Sequence, residues 1–205
     1  MSVLFIDSSY DISLGLLNEA GQWHDFRSFR GHRASHTLQA EAHKLLQGAQ
    51  VNLKELKGVV SLAGPGFYTG LRLSEGFADV TSFFQIPHYS FYSYEIPSWL
   101  GEERGTWITK AYRGEYFLYD WDATGGRTKL LSTRELEVFT TAKPMYFHSE
   151  TSLDERLLPL VASAKSTLDL LRTDPMKIFN HVLGAKLHRE SYYFRAPEDE
   201  FRMNP

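Results

Sequence analysis

The sequence contains no cysteine, which excludes disulfide frameworks, thiolate nucleophiles and cysteine-based zinc sites. It also lacks a basic excess, since 22 Lys and Arg residues stand against 25 Asp and Glu residues, for a net charge of −3. A protein that binds nucleic acid by itself usually carries such an excess. Any contact with RNA is therefore expected to be local or shared with a partner.

Long hydrophobic runs are missing as well. The apolar run at the N-terminus, Val3–Ile6, is too short for a signal peptide or a membrane span. We therefore expect a cytoplasmic protein without membrane contact. What the sequence does have is 205 residues that are 42% hydrophobic and 14% aromatic, enough for one or two packed cores.

The first half of the sequence alternates strand-like and helical patterns. Short apolar runs bounded by turn residues predict five strands: Val3–Ile6, Ser13–Leu17, Trp23–Phe29, Gly58–Leu62 and His88–Tyr92. The first three form a predicted meander. Periodicity predicts two helices, from about Ser35 to Gln47 and from about Leu71 to Phe84. Their expected apolar stripes are Leu38, Ala42 and Leu45 on the first, and Leu73, Phe77, Val80 and Phe84 on the second.

Proline, glycines and charged residues between Pro97 and Gly105 mark a domain boundary, which we place near Leu100. The predicted lobes are residues 1–100 and 101–205, with the C-terminal segment able to pack back on the first lobe. The second lobe is expected to contain strands at Trp107–Lys110, Glu115–Trp121, Arg127–Leu131 and Pro144–Phe147, and helices at Arg134–Phe139, Asp154–Ala164 and Thr167–Val182, the last broken near Pro175.

The turn between the fourth strand and the second helix, Gly64–Gly70, holds three glycines and a proline. Amide groups at a helix N-terminus attract anions, so a phosphate would fit here. The Walker A lysine is absent, however, and Thr69 stands where a dinucleotide motif has its third glycine. Two interpretations remain open: phosphate binding, and a structural turn that closes the helix onto the sheet.

Two further sets of polar residues are candidates for binding a ligand. Asp7, followed by Ser8 and Ser9, is placed either to orient a nucleotide or a hydrated metal ion, or to cap a turn with its own side chain. His32 and His36 have the spacing of a metal-binding pair, but Arg33 stands where a zinc protease has its glutamate. We expect no metal site.

The order and spacing of three motifs resemble those of the TsaB (YeaZ) family. The motifs are Leu4-Phe5-Ile6-Asp7-Ser8-Ser9, the Ser35-His36 pair that opens a helix, and Gly64-Pro65-Gly66-Phe67-Tyr68-Thr69-Gly70-Leu71-Arg72. A fainter likeness continues through Ala111–Tyr116, where Lys110 replaces a family aspartate, and through Tyr192–Arg195. The chain is similar to a divergent member of this family.

The resemblance implies an α/β fold of the actin-like ATPase type, with two lobes that each contain a mixed sheet flanked by helices. It also implies a part in tRNA threonylcarbamoyladenosine biosynthesis, where TsaB is a non-catalytic partner of the carbamoyl transferase TsaD. The ATPase TsaE and the tRNA would be reached only through that complex. Alignment to the metal motif of TsaD places Ser93 and Pro97 at the histidine positions, so no metal is expected.

The resemblance further implies that the two helices of the first lobe pack against their counterparts in a TsaD-like paralogue, or against a second copy when that paralogue is absent. The expected interface residues are His36, Gln39, His43, Arg72, Glu75 and Asp79. The alternative is that these polar stripes are simply solvated.

No tightly bound cofactor is expected, and at most weak binding of ATP or ADP with magnesium at a partner interface. The residues that would face a nucleotide or phosphate are Asp7, Ser8, Gly64, Pro65, Gly66, Thr69 and Gly70. A competing hypothesis is a small-molecule kinase or ATPase of the same superfamily, which would use these residues in catalysis.

Overall fold

A computed structural model describes residues 2–29 and 34–194, with side chains for all of them except residues 34–36. The chain forms two compact units. The first contains Met1–Tyr92 and the chain from Phe179 onward, and the second contains Ser93–Ile178. The division thus falls before Leu100, and the chain after Phe179 groups with the first unit because it hydrogen bonds to that unit's sheet.

The first unit contains a mixed five-stranded sheet. Its strands are β1 Ser2–Asp7, β2 Ile12–Leu17, β3 Trp23–Phe29, β4 Leu56–Leu62 and β5 His88–Phe91, in the order β3-β2-β1-β4-β5. The pairs β1–β2 and β2–β3 are antiparallel, which confirms the predicted meander, whereas β4 is parallel to both β1 and β5. The carboxyl ends of β1 and β4 therefore meet at one edge of the sheet.

Helices α1, Ala34–Gly48, and α2, Tyr68–Ser82, pack with one face of this sheet. Alternate residues of β1 point to opposite faces, so Leu4 and Ile6 join the core under the helices, while the ring of Phe5 packs against aromatic rings on the other side. The predicted stripe of α1 is confirmed, since its three members are at most 1% exposed: Leu38, Ala42 and Leu45.

The apolar stripe predicted for α2 is wrong in part. The buried residues of this helix are Leu71, Ser74, Ala78 and Thr81. Of the predicted stripe, only Leu73 and Phe77 pack against the core, whereas Val80 is 53% and Phe84 45% exposed. The small residues of α2 face the sheet instead, and among them the Ser74 hydroxyl shares a hydrogen bond with the Ser8 hydroxyl.

The second unit contains another mixed five-stranded sheet. Its strands are β6 Gly105–Lys110, β7 Glu115–Asp122, β8 Gly125–Ser132, β9 Met145–Phe147 and β10 Lys165–Ser166, in the order β10-β9-β6-β7-β8. The hairpins β6–β7 and β7–β8 agree with the predicted ones. One face packs an aliphatic core around Ile108 and Leu118. The other carries aromatic rings that pack against one another, among them Trp107, Phe117 and Tyr119.

The remaining helices are α3 Ile96–Trp99, α4 Thr133–Glu137, α5 Thr167–Thr173 and α6 Pro175–Gly184. The break between α5 and α6 confirms the predicted interruption near Pro175. The helix predicted at Asp154–Ala164 is wrong: the residues after Leu153 form successive turns, because Pro159 has no amide to donate and would interrupt a helix. Of the helices described, none is both long and apolar enough to cross a bilayer.

Candidate functional site

The glycine turn, Gly64–Gly70, lies directly on the end of β1. The amide of Phe67 donates to the Ser9 carbonyl at 3.0 Å, and the Ser8 hydroxyl donates to the Gly70 carbonyl at 2.6 Å. A methyl carbon at Gly66 would lie 2.6 Å from the Ser9 Cβ, and one at Gly70 would collide with the Ser8 carbonyl oxygen. Close packing of two backbones therefore accounts for both glycines.

Asp7 ends β1 beside this turn, with 3% of its surface exposed. Its Oδ1 accepts a hydrogen bond from the Ser9 amide at 2.9 Å and another from the Ser9 hydroxyl at 2.6 Å. This is the turn-capping arrangement. The structure thus brings Asp7 and Ser8 next to the glycine turn, as the phosphate hypothesis requires, but gives them structural hydrogen bonds. Nucleotide or phosphate binding by this set stays a prediction.

A segment near the C-terminus covers the edge of the first sheet. We call residues 187–194 the C-terminal strap. It runs beside β5, where the Arg189 amide donates to the Ser90 carbonyl at 3.2 Å and the Ser90 hydroxyl donates to the Arg189 carbonyl at 2.7 Å. Further along, the Tyr192 amide donates to the Ala63 carbonyl at 2.8 Å. The strap thereby reaches the glycine turn.

The strap also closes the glycine turn from the side opposite β1. Gly66 forms a parallel bridge with Tyr193, and a methyl carbon at Gly64 would lie 2.9 Å from the Tyr192 carbonyl oxygen. Gly64 has a φ of +106°, a conformation that favours glycine. The turn is therefore held between two segments of its own chain.

The polar stripe of α2 is bound to the strap. The Glu75 carboxylate accepts hydrogen bonds from Arg72 at 3.0 Å, from the Ser191 hydroxyl and, at 3.4 Å, from the Tyr193 hydroxyl. Burial raises the pKa of Tyr193, with a further contribution from the Glu75 charge. The guanidinium of Arg72 also lies 5.5 Å from the centre of the Tyr68 ring. Glu75 therefore makes an internal contact that the sequence did not indicate.

The other predicted interface residues are placed as follows. Asp79 is exposed near the C-terminal end of α2, and Gln39 and His43 are exposed on α1. The side chain of His36 and the whole of His32 lie outside the described residues. The exposed predicted residues thus come from two helices that share one core.

A cavity of about 310 Å³ lies among α2, β4, β5 and the strap. Inside it the Ser61 hydroxyl and the His88 Nε2 are 2.8 Å apart, and the rings of His88 and His188 meet edge to face at 5.4 Å. Burial lowers the pKa of His88, the neighbouring His188 lowers it further, and Asp79 and Glu75 oppose the shift. Few features of the sequence indicate this site: His88 and His188 are far apart in the chain, and only the polar Ser61 within an apolar strand stands out.

Within the described ranges, no three His, Asp or Glu side chains lie close enough to bind a metal ion. Ser93 belongs to a short 3₁₀ turn and Pro97 to α3, both in the second unit, and both are buried. The residues at these two positions offer no imidazole.

Two mixed five-stranded sheets with flanking helices define the actin-like ATPase fold, as the motif resemblance implied. Among solved structures, the chain is similar to YeaZ from Pseudomonas aeruginosa, at 21% identity over 71% of this chain and 74% of that one, with a TM-score of 0.54. A protein described as similar to peptidase YeaZ, also from Pseudomonas aeruginosa, matches at 20% identity over 93% of this chain and 98% of that one, with a TM-score of 0.60.

The ethanolamine utilization protein EutJ from Carboxydothermus hydrogenoformans matches at 12% identity over 85% of this chain and 88% of that one, with a TM-score of 0.51. No family model and no curated protein matches the chain. At identities this low, the structural similarity shows a shared fold. The expected fold class is therefore confirmed, and the motif resemblance to the TsaB (YeaZ) family agrees with it.

Proposed function

We propose that this chain is a TsaB-type protein, a non-catalytic partner that binds and activates a TsaD-like carbamoyl transferase in tRNA threonylcarbamoyladenosine biosynthesis. The order of its motifs and the fold it shares with YeaZ structures support the assignment. The observation that carries the non-catalytic part is the packing of the glycine turn between β1 and the strap. The Asp7 and Ser8 side chains, which a catalyst would use to bind a nucleotide, instead form hydrogen bonds within the chain.

The partner surface we propose is the outward face of α2, formed by Arg72, Gly76, Val80 and Phe83. Phe83 is 86% and Val80 53% exposed, and a methyl group at Gly76 would meet no atom within 4 Å. Exposed apolar side chains beside a helical glycine suit close approach of another helix. The occupant is a helix of the TsaD-like paralogue, with Gln39 and His43 of the neighbouring α1 at the rim.

Binding at this face would activate the transferase by stabilising its competent conformation more than its incompetent one. When the paralogue is absent, the same face would join two copies of this chain. A TsaE-like ATPase and tRNA would join through the complex. ATP or ADP with magnesium would bind weakly, at the partner interface.

The test is capture of a TsaD-like protein by wild type and by Val80→Glu and Phe83→Glu variants. Both side chains are exposed, so the variants should fold while capture is lost. Val138→Glu is a matched control, because Val138 is 79% exposed in the second unit. Wild type, but not the two α2 variants, should restore threonylcarbamoyladenosine to a strain that lacks TsaB. Full capture by both α2 variants would rule out this surface.

A small-molecule kinase or ATPase is the second candidate, because Asp7 lies beside the glycine turn in an actin-like ATPase fold. Calorimetry with ATP and magnesium separates the two proposals. A scaffold should bind weakly or not at all, whereas micromolar binding with hydrolysis that Asp7→Ala abolishes would favour the enzyme. Ser9→Ala is the control, since it disturbs the same turn without removing the carboxylate.

A further inference from the structure

The positive charges around the cavity beside α2 are already engaged. Arg72 pairs with Glu75 at 3.0 Å. The guanidinium of Arg189 lies 5.9 Å from the centre of the Tyr92 ring, within range of a cation–π contact. Both guanidinium groups therefore already have a contact within the protein.

The negative charges are not balanced in the same way. Asp79 and Glu190 both line the cavity, and within residues 2–29 and 34–194 neither carboxylate forms an ion pair with a lysine or arginine. His88 adds little positive charge near neutral pH, because burial keeps its pKa below the ordinary value. The lining is thus left with an excess of negative charge and of hydrogen-bond acceptors.

The rest of the lining gives the size and shape of a ligand. Leu62, Ala63 and Leu71 lie behind the polar groups of the lining and are at most 3% exposed. About 310 Å³ is at the small end of the range for ligand sites. A small group with one positive charge fits this volume and this lining. An anion would face two carboxylates, and a divalent ion would lack ligands, since the described residues offer no three-ligand cluster.

We propose that this cavity binds an organic cation, a guanidinium or alkylammonium group, with its charge toward Asp79 and Glu190. The site does not depend on the proposed partner surface. The charged groups that face His88 are Arg72, Glu75 and Asp79 on α2, and His188, Arg189 and Glu190 on the strap. Protonation of His88 would add positive charge, so the cation should bind less tightly in acid.

The test titrates the full chain with methylguanidinium and, as an uncharged control of the same shape, methylurea. Calorimetry and the NMR signals of the His88 and His188 rings report binding. Methylguanidinium should bind saturably and methylurea should not. The double variant D79N/E190Q should bind methylguanidinium about tenfold or more weakly, because two charged acceptors are lost. D169N, which removes an exposed carboxylate of the second unit, should bind like wild type.

Equal binding of methylguanidinium and methylurea, unchanged affinity in D79N/E190Q, or no saturable response of either histidine would overturn the proposal. The cation could be a free molecule or a side chain of a partner, and a second arm separates the two. Excess methylguanidinium should reduce capture of a TsaD-like protein if a partner side chain fills the cavity. It should leave capture unchanged if the natural ligand is a free cation. Both results are consistent with a cation-binding cavity, and they differ only in the source of the cation.

Discussion

The Glu75 carboxylate accepts a hydrogen bond from the Ser191 hydroxyl, a residue 116 positions away in the sequence. The same carboxylate accepts from Arg72 and from the Tyr193 hydroxyl. Tyr193 in turn bridges to Gly66, so one acidic side chain links α2, the strap and the glycine turn. A substitution at Glu75 should therefore weaken the attachment of the strap, whether or not it also weakens the binding of a partner.

Replacing Glu75 by alanine should loosen the strap, because Ser191 and Tyr193 lose their acceptor. We expect the free energy of unfolding to fall by about 1 kcal/mol, since the carboxylate is partly exposed to solvent. Hydrogen exchange of the Tyr192 amide should become faster. Asp169→Ala, at an exposed ion pair of the second unit, should change neither quantity. Unaltered Tyr192 exchange in Glu75→Ala would contradict this role.

Replacing Gly70 by alanine should destabilise the protein strongly, since the added methyl group collides with the Ser8 backbone. Forced overpacking of this kind costs about 3 kcal/mol. Urea unfolding measures the loss. Gly48→Ala in α1 is the control, because no atom lies within 4 Å of the new methyl carbon. A Gly70→Ala variant as stable as wild type would mean that the turn does not pack on β1 in this way.

Gly76 lies within α2 and has open space beside it, so its substitutions separate stability from partner binding. Gly76→Ala should raise the free energy of unfolding by about 0.5 to 1 kcal/mol, because glycine is a poor helix former. Gly76→Arg should leave the isolated chain folded but block capture of a TsaD-like protein. Capture by Gly76→Arg at wild-type strength would show that no helix approaches this face closely.

The stability of the protein should depend on pH through His88. Its folded-state pKa lies below its ordinary value of 6.5, so the unfolded chain binds this proton more readily. The stabilisation is present above pH 6.5 and is lost as the pH falls through the folded-state value. Urea unfolding of wild type and His88→Gln at about pH 7.5 and about pH 5.5 measures it. The variant should lose less stability on acidification, whereas the exposed-site control His43→Gln should behave like wild type.

The resemblance of three motifs implied the fold class, and the sequence by itself indicated the two helices of the first unit and the strands of both sheets except β10. These helices and strands follow from local patterns: the short apolar run in β1, the spacing of Leu38, Ala42 and Leu45 in α1, and turn residues between elements. Where a local pattern was ambiguous, the prediction was wrong. Leu157 and Val161 have helical spacing, yet Pro159 divides their segment into turns.

The tertiary structure alone decided what surrounds the candidate site. The face that α2 buries includes Ser74, whose hydroxyl shares a hydrogen bond with that of Ser8, and periodicity in α2 could not reveal this contact. The sequence placed Glu75 on a polar stripe expected to face a partner or solvent, whereas in the structure its carboxylate binds the strap. The cavity joins Ser61, His88 and His188, residues from three separate segments, so no local spacing predicts it. Local patterns determine which helices and strands form. Which distant side chains meet is decided only when those elements pack, because every such contact joins residues from separate segments.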